Sequence, residues 1–155
     1  MMPWLPVIAG TGSAVVGGFY LAFSAVVMPA LRDRQANEAC TAMIAINEAA
    51  LRPTFMTMFF GTAAACGGTA FAAILEPQPQ TPLQMIGSVA YLVGWTSTMA
   101  INVPLNNRLA RHGTSEGDGR WLDYAQRWTT ANHLRTVLSL AGAAALLFPT
   151  LTRSN

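Results

Sequence analysis

Apolar positions fill this chain in four long blocks, and charged residues appear only between them. No charge occurs from Met1 to Leu31, from Pro53 to Leu75, from Pro77 to Asn107 or from Thr136 to Thr152. Crossing a hydrocarbon layer as a helix takes about 20 predominantly apolar residues. The pattern therefore predicts an all-α fold, a four-transmembrane-helix bundle forming one domain over residues 1–155, with spans at about 5–31, 53–75, 83–106 and 134–152. Little chain is left for a water-soluble domain, so any function must be built from side chains on packed helices and their short connections.

The connections have patterns of their own. Across Asp33 to Leu51, Ala39, Met43, Ile44 or Ile46, and Ala50 recur at helical spacing, with Glu48 and Arg52 four residues apart. This predicts a short amphipathic cytoplasmic helix between the first two spans, lying on the inner membrane surface or cupping the base of the bundle. Pro53 suits the first turn of the second span. Three prolines between Pro77 and Pro82 predict a tight outer turn. His112 to Gly119 reads as a flexible loop. Helical periodicity resumes at Arg120, before the apolar run does, so the fourth helix is expected to begin in the cytoplasm and enter the membrane near Leu134.

Composition places the chain more firmly. It is 52% hydrophobic and only 10% charged, against about a quarter charged in soluble domains. All nine positive side chains are Arg and none is Lys. Guanidinium suits interfaces and buried polar pairs, although a GC-rich genome would give the same bias. Arg32, Arg34 and Arg52 lie in the first connection and Arg108, Arg111, Arg120, Arg127 and Arg135 around the last, while the middle one has none. By the positive-inside rule the Arg-bearing segments are cytoplasmic and both termini lie outside, with Arg153 the lone dissenter. A bacterial inner membrane is the expected location, and no nucleic-acid partner is expected. The N-terminus lacks a basic n-region, so no cleaved leader is expected.

Several features read as packing. Cys40 and Cys66 suggest neither a disulfide nor a thiolate metal site. Gly10-x-Gly12, with Gly17 and Gly18, lacks the preceding strand of a dinucleotide site and reads as close helix contact. Met56 and Met58 read as core filling.

Polar residues near the inner ends of the spans ask for a stronger reason. Asn102 and Asn106 stand one turn apart on one face, with Pro104 freeing a backbone carbonyl between them. On the fourth helix, Trp121, Tyr124, Trp128, Asn132 and Arg135 share a narrow face at matching depth. His133 lies about 100 degrees around the helix from Asn132, directed elsewhere, for example toward Asn47 to Arg52. As one of two histidines it is the candidate general base. A site for a metal near His133 would need more ligands than one His and scattered carboxylates, so no metal ligand is assigned and no cofactor is favoured, with a metal-dependent enzyme kept as the alternative to a cofactor-independent one. The outer half of the bundle is expected to be uniformly apolar scaffold.

Four ordered pieces, Phe23 to Leu31, Ala42 to Asn47, Asn102 to Asn106 and Arg127 to Thr136, resemble the anthrone oxygenase-like family of small four-helix membrane proteins. The resemblance implies oxidation of polyketide anthrones by molecular oxygen, as in the fungal members that gave the name. The residues carried over are Asn47, Asn102, Asn106, Trp128, Asn132, His133 and Arg135. In that reading His133 is the base, Asn102, Asn106, Asn132 and Arg135 hold an oxyanion, and Trp128 and Tyr124 stack on a substrate ring with Asn47 beside them. The partner is then an apolar small molecule arriving from lipid. The alternative is a non-catalytic protein binding a lipid, quinone or partner subunit through the same cluster, with small-residue faces serving assembly, including a homo-oligomer. A four-span transporter is a weaker third reading, because no acidic residue lies within a span.

Overall fold

The structure is a computed structural model and describes residues 4–112 and 117–152. All regular structure among them is helical. Helix α1 runs Trp4–Ala22, widens into a π-helical turn at Phe23–Val27, and ends with Met28–Arg32. Helix α2 is Ala36–Ala50 and α3 is Pro53–Leu75. Helix α4 runs Thr81–Ser97, passes through a second π-helical turn at Thr98–Asn102, and continues as Val103–His112. Helix α5 is Gly117–Thr152, 36 residues, or about 54 Å at the usual rise. Residues 113–116 of the expected loop lie outside the described residues, and the flanking His112 and Gly117 are helical.

Both π turns have a local cause. Each ends two residues before a proline, Pro29 in one case and Pro104 in the other. A proline ring offers no N–H and crowds the carbonyl four residues back, here Ala25 and Ala100. Widening the helix by one residue over that stretch absorbs the conflict.

The four long helices form a ring in which α1 packs on α3 and α5, and α4 packs on the same two. Close approach rests on glycine. A Cβ at Gly87 of α4 would stand 2.7 Å from the Gly142 carbonyl oxygen of α5, and one at Gly10 would stand 2.7 Å from Leu147. A Cβ at Gly12 would overlap Thr62. Gly10, Gly12 and Gly17 serve packing, as their context suggested, whereas a Cβ at Gly18 would meet nothing within 4 Å.

Helix α2 closes one end of the ring, touching the ends of α1, α4 and α5. Its buried stripe is Ala39, Cys40 and Met43, with Ile44 and Ile46 partly buried, and it meets Leu109, Trp121 and Tyr124. The expected i, i+4 pairing of Glu48 with Arg52 on one helix does not form. The helix stops at Ala50, and Arg52 takes an extended conformation as the cap of α3.

Three helical stretches are long and apolar enough to cross a membrane: Trp4–Arg32, Pro53–Leu75 and Gly119–Pro149. They are compatible with an integral membrane protein. The expected 83–106 span falls on α4, whose uninterrupted α-helical part, Thr81–Ser97, has 17 residues before the π turn. Val26, Phe71, Ile86 and Val137 are exposed on the outer faces of the ring, apolar surface that lipid would cover.

One expectation is overturned. The half of the bundle away from α2 is not uniformly apolar, because Ser13, Thr69, Gln84, Ser88 and Ser139 are buried inside it. Ser13 and Thr69 donate to carbonyls four residues back, Ala9 at 2.7 Å and Ala65 at 2.8 Å. Small hydroxyls satisfied by their own helix add little width, so they allow the tight crossings that glycine begins.

Candidate functional site

Between α2 and the ring lies a cavity of about 290 Å³, near the lower end of the roughly 300–1,000 Å³ usual for small-molecule sites. Both π turns border it, through Phe23 on α1 and through Thr98, Met99 and Asn102 on α4. Such turns redirect side chains that a regular helix would aim elsewhere, and they recur at functional sites.

Aromatic rings make most of the wall. Phe19, Tyr20, Phe23, Phe55, Phe59 and Trp128 all face the cavity. They form a contiguous set, with ring centroids 4.6 Å apart for Phe19 and Phe55, 5.9 Å for Phe55 and Phe59, and 5.5 Å for Phe23 and Trp128.

The polar part converges on Arg135, only 3% exposed. One guanidinium nitrogen donates to Asn132 Oδ1 at 2.7 Å and the other to Thr98 Oγ1 at 3.2 Å. The guanidinium carbon lies 4.3 Å from the Tyr20 ring centroid and 5.2 Å from that of Trp128. Asn132 is held in turn, its amide donating to the Tyr20 carbonyl and to Ser24 Oγ, both at 2.7 Å. Arg135 has no carboxylate partner among the described residues. Amide, hydroxyl and π-face contacts offset part of the desolvation of this cation, but none neutralises its charge.

Asn106 is a shared acceptor. Its Oδ1 receives the Tyr124 hydroxyl and the Trp128 indole N–H, each at 2.9 Å. Asn102 donates to the Trp128 carbonyl at 3.4 Å. Three buried atoms on cavity-lining residues have no protein partner: Asn47 Nδ2, Asn102 Oδ1 and Arg135 Nε. Buried polar groups are ordinarily satisfied, so these two donors and one acceptor are unmatched polar capacity behind the aromatic wall.

The structure thus brings together seven of the eight residues singled out from sequence. Asn47, Asn102, Asn106, Trp128 and Arg135 line the cavity, while Asn132 and Tyr124 hold liners in place. The eighth, His133, is not brought to the cluster. It is exposed on the outer side of α5, because one residue beyond Asn132 turns the side chain about 100 degrees away. The residues missed from sequence are Tyr20 and Thr98 among the polar liners, Ser24 as a partner of Asn132, and the phenylalanines of α1, whereas the aromatics of the second span read from sequence either as walls for an aromatic substrate or as core. The mid-helix prolines Pro29 and Pro104 were the available signal, since they mark where α1 and α4 widen.

Among the described residues, no three His, Cys, Asp or Glu side chains cluster as metal ligands. Cys40, which packs outside the spans, has its thiol pKa pushed up by burial and is an inert packing group.

Residues 55–145 match the sequence profile of the anthrone oxygenase family, more than half of the 155-residue chain, so the chain belongs to that family. No curated protein and no solved structure matches it.

Proposed function

We propose that this chain is a membrane-embedded oxidoreductase that oxidises an apolar polyphenolic or anthrone-like substrate with molecular oxygen in the cavity beside Arg135. The observation that carries the reading is a buried Arg135, without a carboxylate partner, set into an aromatic-walled cavity. A site of that kind favours a flat, mostly apolar molecule able to bear one negative charge.

The chemistry follows from that preference. Removing a proton from the CH₂ of an anthrone gives a phenolate-like anion, electron-rich enough to reduce oxygen. A cationic guanidinium beside the substrate oxygen favours this anion and lowers the pKa of the bound molecule. With His133 outside the cavity, no side chain is assigned as base: the proton passes to solvent water or hydroxide at the open side of the cavity, and the guanidinium holds the anion left behind. The overall change converts CH₂ and O₂ into C=O and H₂O, so all four electrons reducing oxygen come from the substrate and no external reductant enters. The aromatic walls exclude water from the anion.

In this reading α4 is a fourth span, and the end carrying α2 faces the cytoplasm. Arg32, Arg34, Arg52, Arg108 and Arg111 at that end support the orientation. The cavity liners Phe19, Leu51, Phe60 and Met99 are also exposed, which supports entry of substrate sideways from lipid.

The test is oxygen uptake by the purified full chain in detergent with a hydroxylated anthrone. The expected result is quinone formation with one O₂ consumed per substrate, reduced at least about 100-fold in Arg135→Gln and unchanged in His133→Ala. Ligand binding without oxygen uptake would favour the non-catalytic alternative, and full turnover by Arg135→Gln would overturn the mechanism.

A further inference from the structure

A second recess lies beyond the cavity, on the far side of Tyr124. It holds about 310 Å³ between the end of α4 and the start of α5, and Arg108, His112, Arg120, Trp121 and Tyr124 are among its walls. Its one carboxylate, Asp123, is engaged by Arg127 at 3.4 Å. Arg108 has no acidic partner among the described residues. Trp121 is 3% exposed, and its indole nitrogen, a donor only, is buried without a protein partner. Arg108 thus gives the recess a cation without an acidic partner among the described residues, and the recess suits an anion.

The recess does not end there. It shares Leu105, Arg108 and Asp123 with a groove of about 740 Å³ that runs along the outer face of α4 and α5. Gln126, Arg127 and Thr130 of α5 also border the groove, and its apolar part is Ala100, Ile101, Pro104, Ala131 and Leu134. One continuous surface thus passes from cationic to apolar. The passage falls where the charge-free block of α4 ends, since Asn107 is its last residue and Arg108 the first charge. That is the depth at which phosphate headgroups meet acyl chains, and basic pockets between helices at this level take anionic headgroups.

We propose that recess and groove together bind one anionic phospholipid, with its phosphate headgroup at Arg108 beside Arg120 and Trp121 and an acyl chain in the groove. The site rests on the membrane reading above and is independent of the oxidase chemistry. Charge complementarity at one end and apolar lining at the other select this occupant over a free anion or a peptide.

The test uses the full chain in a zwitterionic detergent, titrated with dioctanoyl phosphatidylglycerol, dioctanoyl phosphatidylcholine and glycerol phosphate, and read by native mass spectrometry. The wild type is expected to bind the anionic lipid at least about tenfold more tightly than the zwitterionic one, and glycerol phosphate at least about tenfold more weakly than the anionic lipid. Arg108→Gln should abolish the preference for anionic lipid, whereas Arg111→Gln, outside the recess, should keep it. Thr130→Trp, which fills the groove from the exposed face of α5, should weaken both lipids and leave glycerol phosphate unaffected. Equal binding of the two lipids by wild type, or a preference surviving in Arg108→Gln, would overturn the proposal. Glycerol phosphate bound as tightly as lipid, with Thr130→Trp silent, would show an anion pocket and overturn it too. Carbonate extraction of the chain from vesicles separates the two readings. Release would sink the membrane reading and this site with it, while firm insertion without charge selectivity would sink the site alone.

Discussion

The two ends of this bundle both bury polar side chains, but they satisfy them differently. In the half away from α2, the hydroxyls of Ser13 and Thr69 bond within their own helices, Ser13 also meets Cys66 Sγ of α3 at 3.7 Å, and Gln84 Oε1 and Ser88 Oγ have no protein partner, while Gly87 meets Gly142 so closely that the helix backbones touch. In the half beneath α2, the bonds run between helices. Asn132 on α5 reaches Tyr20 and Ser24 on α1, Arg135 on α5 reaches Thr98 on α4, and Asn106 on α4 receives Tyr124 and Trp128 from α5. Self-satisfied hydroxyls permit close packing, whereas cross-helix bonds hold the helices around a space. The contrast separates scaffold from site better than counting polar residues does, because both halves have them.

If that contrast is right, breaking the cross-helix network is the most costly change to the fold. Asn132→Leu removes two bonds to α1 and strips the buried Arg135 of its best acceptor. Loss of about 3–5 kcal/mol is expected, the range for leaving a buried charge without its partner, and unfolding in a denaturing detergent would measure it. A loss under about 1 kcal/mol would mean the network is incidental.

Gly87→Ala attacks the other half. Its Cβ would press on the Gly142 carbonyl oxygen and on Leu146, and overpacking of this kind typically costs about 1–3 kcal/mol. The expected signature is lower stability with ligand affinity at the far cavity retained, measured by titrating the same variant with an aromatic ligand. A parallel fall in affinity would show that the two halves are not separable.

Smaller effects sharpen the boundary. Trp128→Phe keeps a ring against Phe23 but loses the indole donor to Asn106, a hydrogen bond worth about 1 kcal/mol, and thermal unfolding would resolve it. His133→Ala, on the exposed side of α5, should stay within about 0.5 kcal/mol of wild type. A large loss of stability would place His133 in a contact outside this account.

Much of this arrangement was legible in the sequence, and the missing parts have identifiable reasons. Charge-free blocks announced the long helices, and the three-to-four spacing of Ala39 and Met43 announced α2. The shared face of Trp121, Tyr124, Trp128, Asn132 and Arg135 was legible because a regular helix repeats every 3.6 residues, and all five are buried. His133 matches the cluster in depth, but its angle of about 100 degrees from Asn132 leaves it exposed on α5. Ser24 and Thr98 escaped because they sit in π turns, where the regular wheel no longer predicts which face a side chain takes. Hydroxyls of the distant half looked negligible one at a time, and their burial depends on glycine contacts between helices far apart in sequence.

The central claim is that Arg135 makes the cavity a site for an aromatic anion, and the ionisation state of a bound hydroxyanthrone tests it most directly. Deprotonation moves such a molecule's absorption to longer wavelength, so the spectrum of the bound ligand, recorded across pH, reports its pKa in the cavity. The account predicts an anionic spectrum in the wild type at a pH where the free molecule is neutral, reverting to the neutral spectrum in Arg135→Gln with binding otherwise retained. A ligand that stays neutral in the wild type, or that ionises equally in Arg135→Gln, would contradict it.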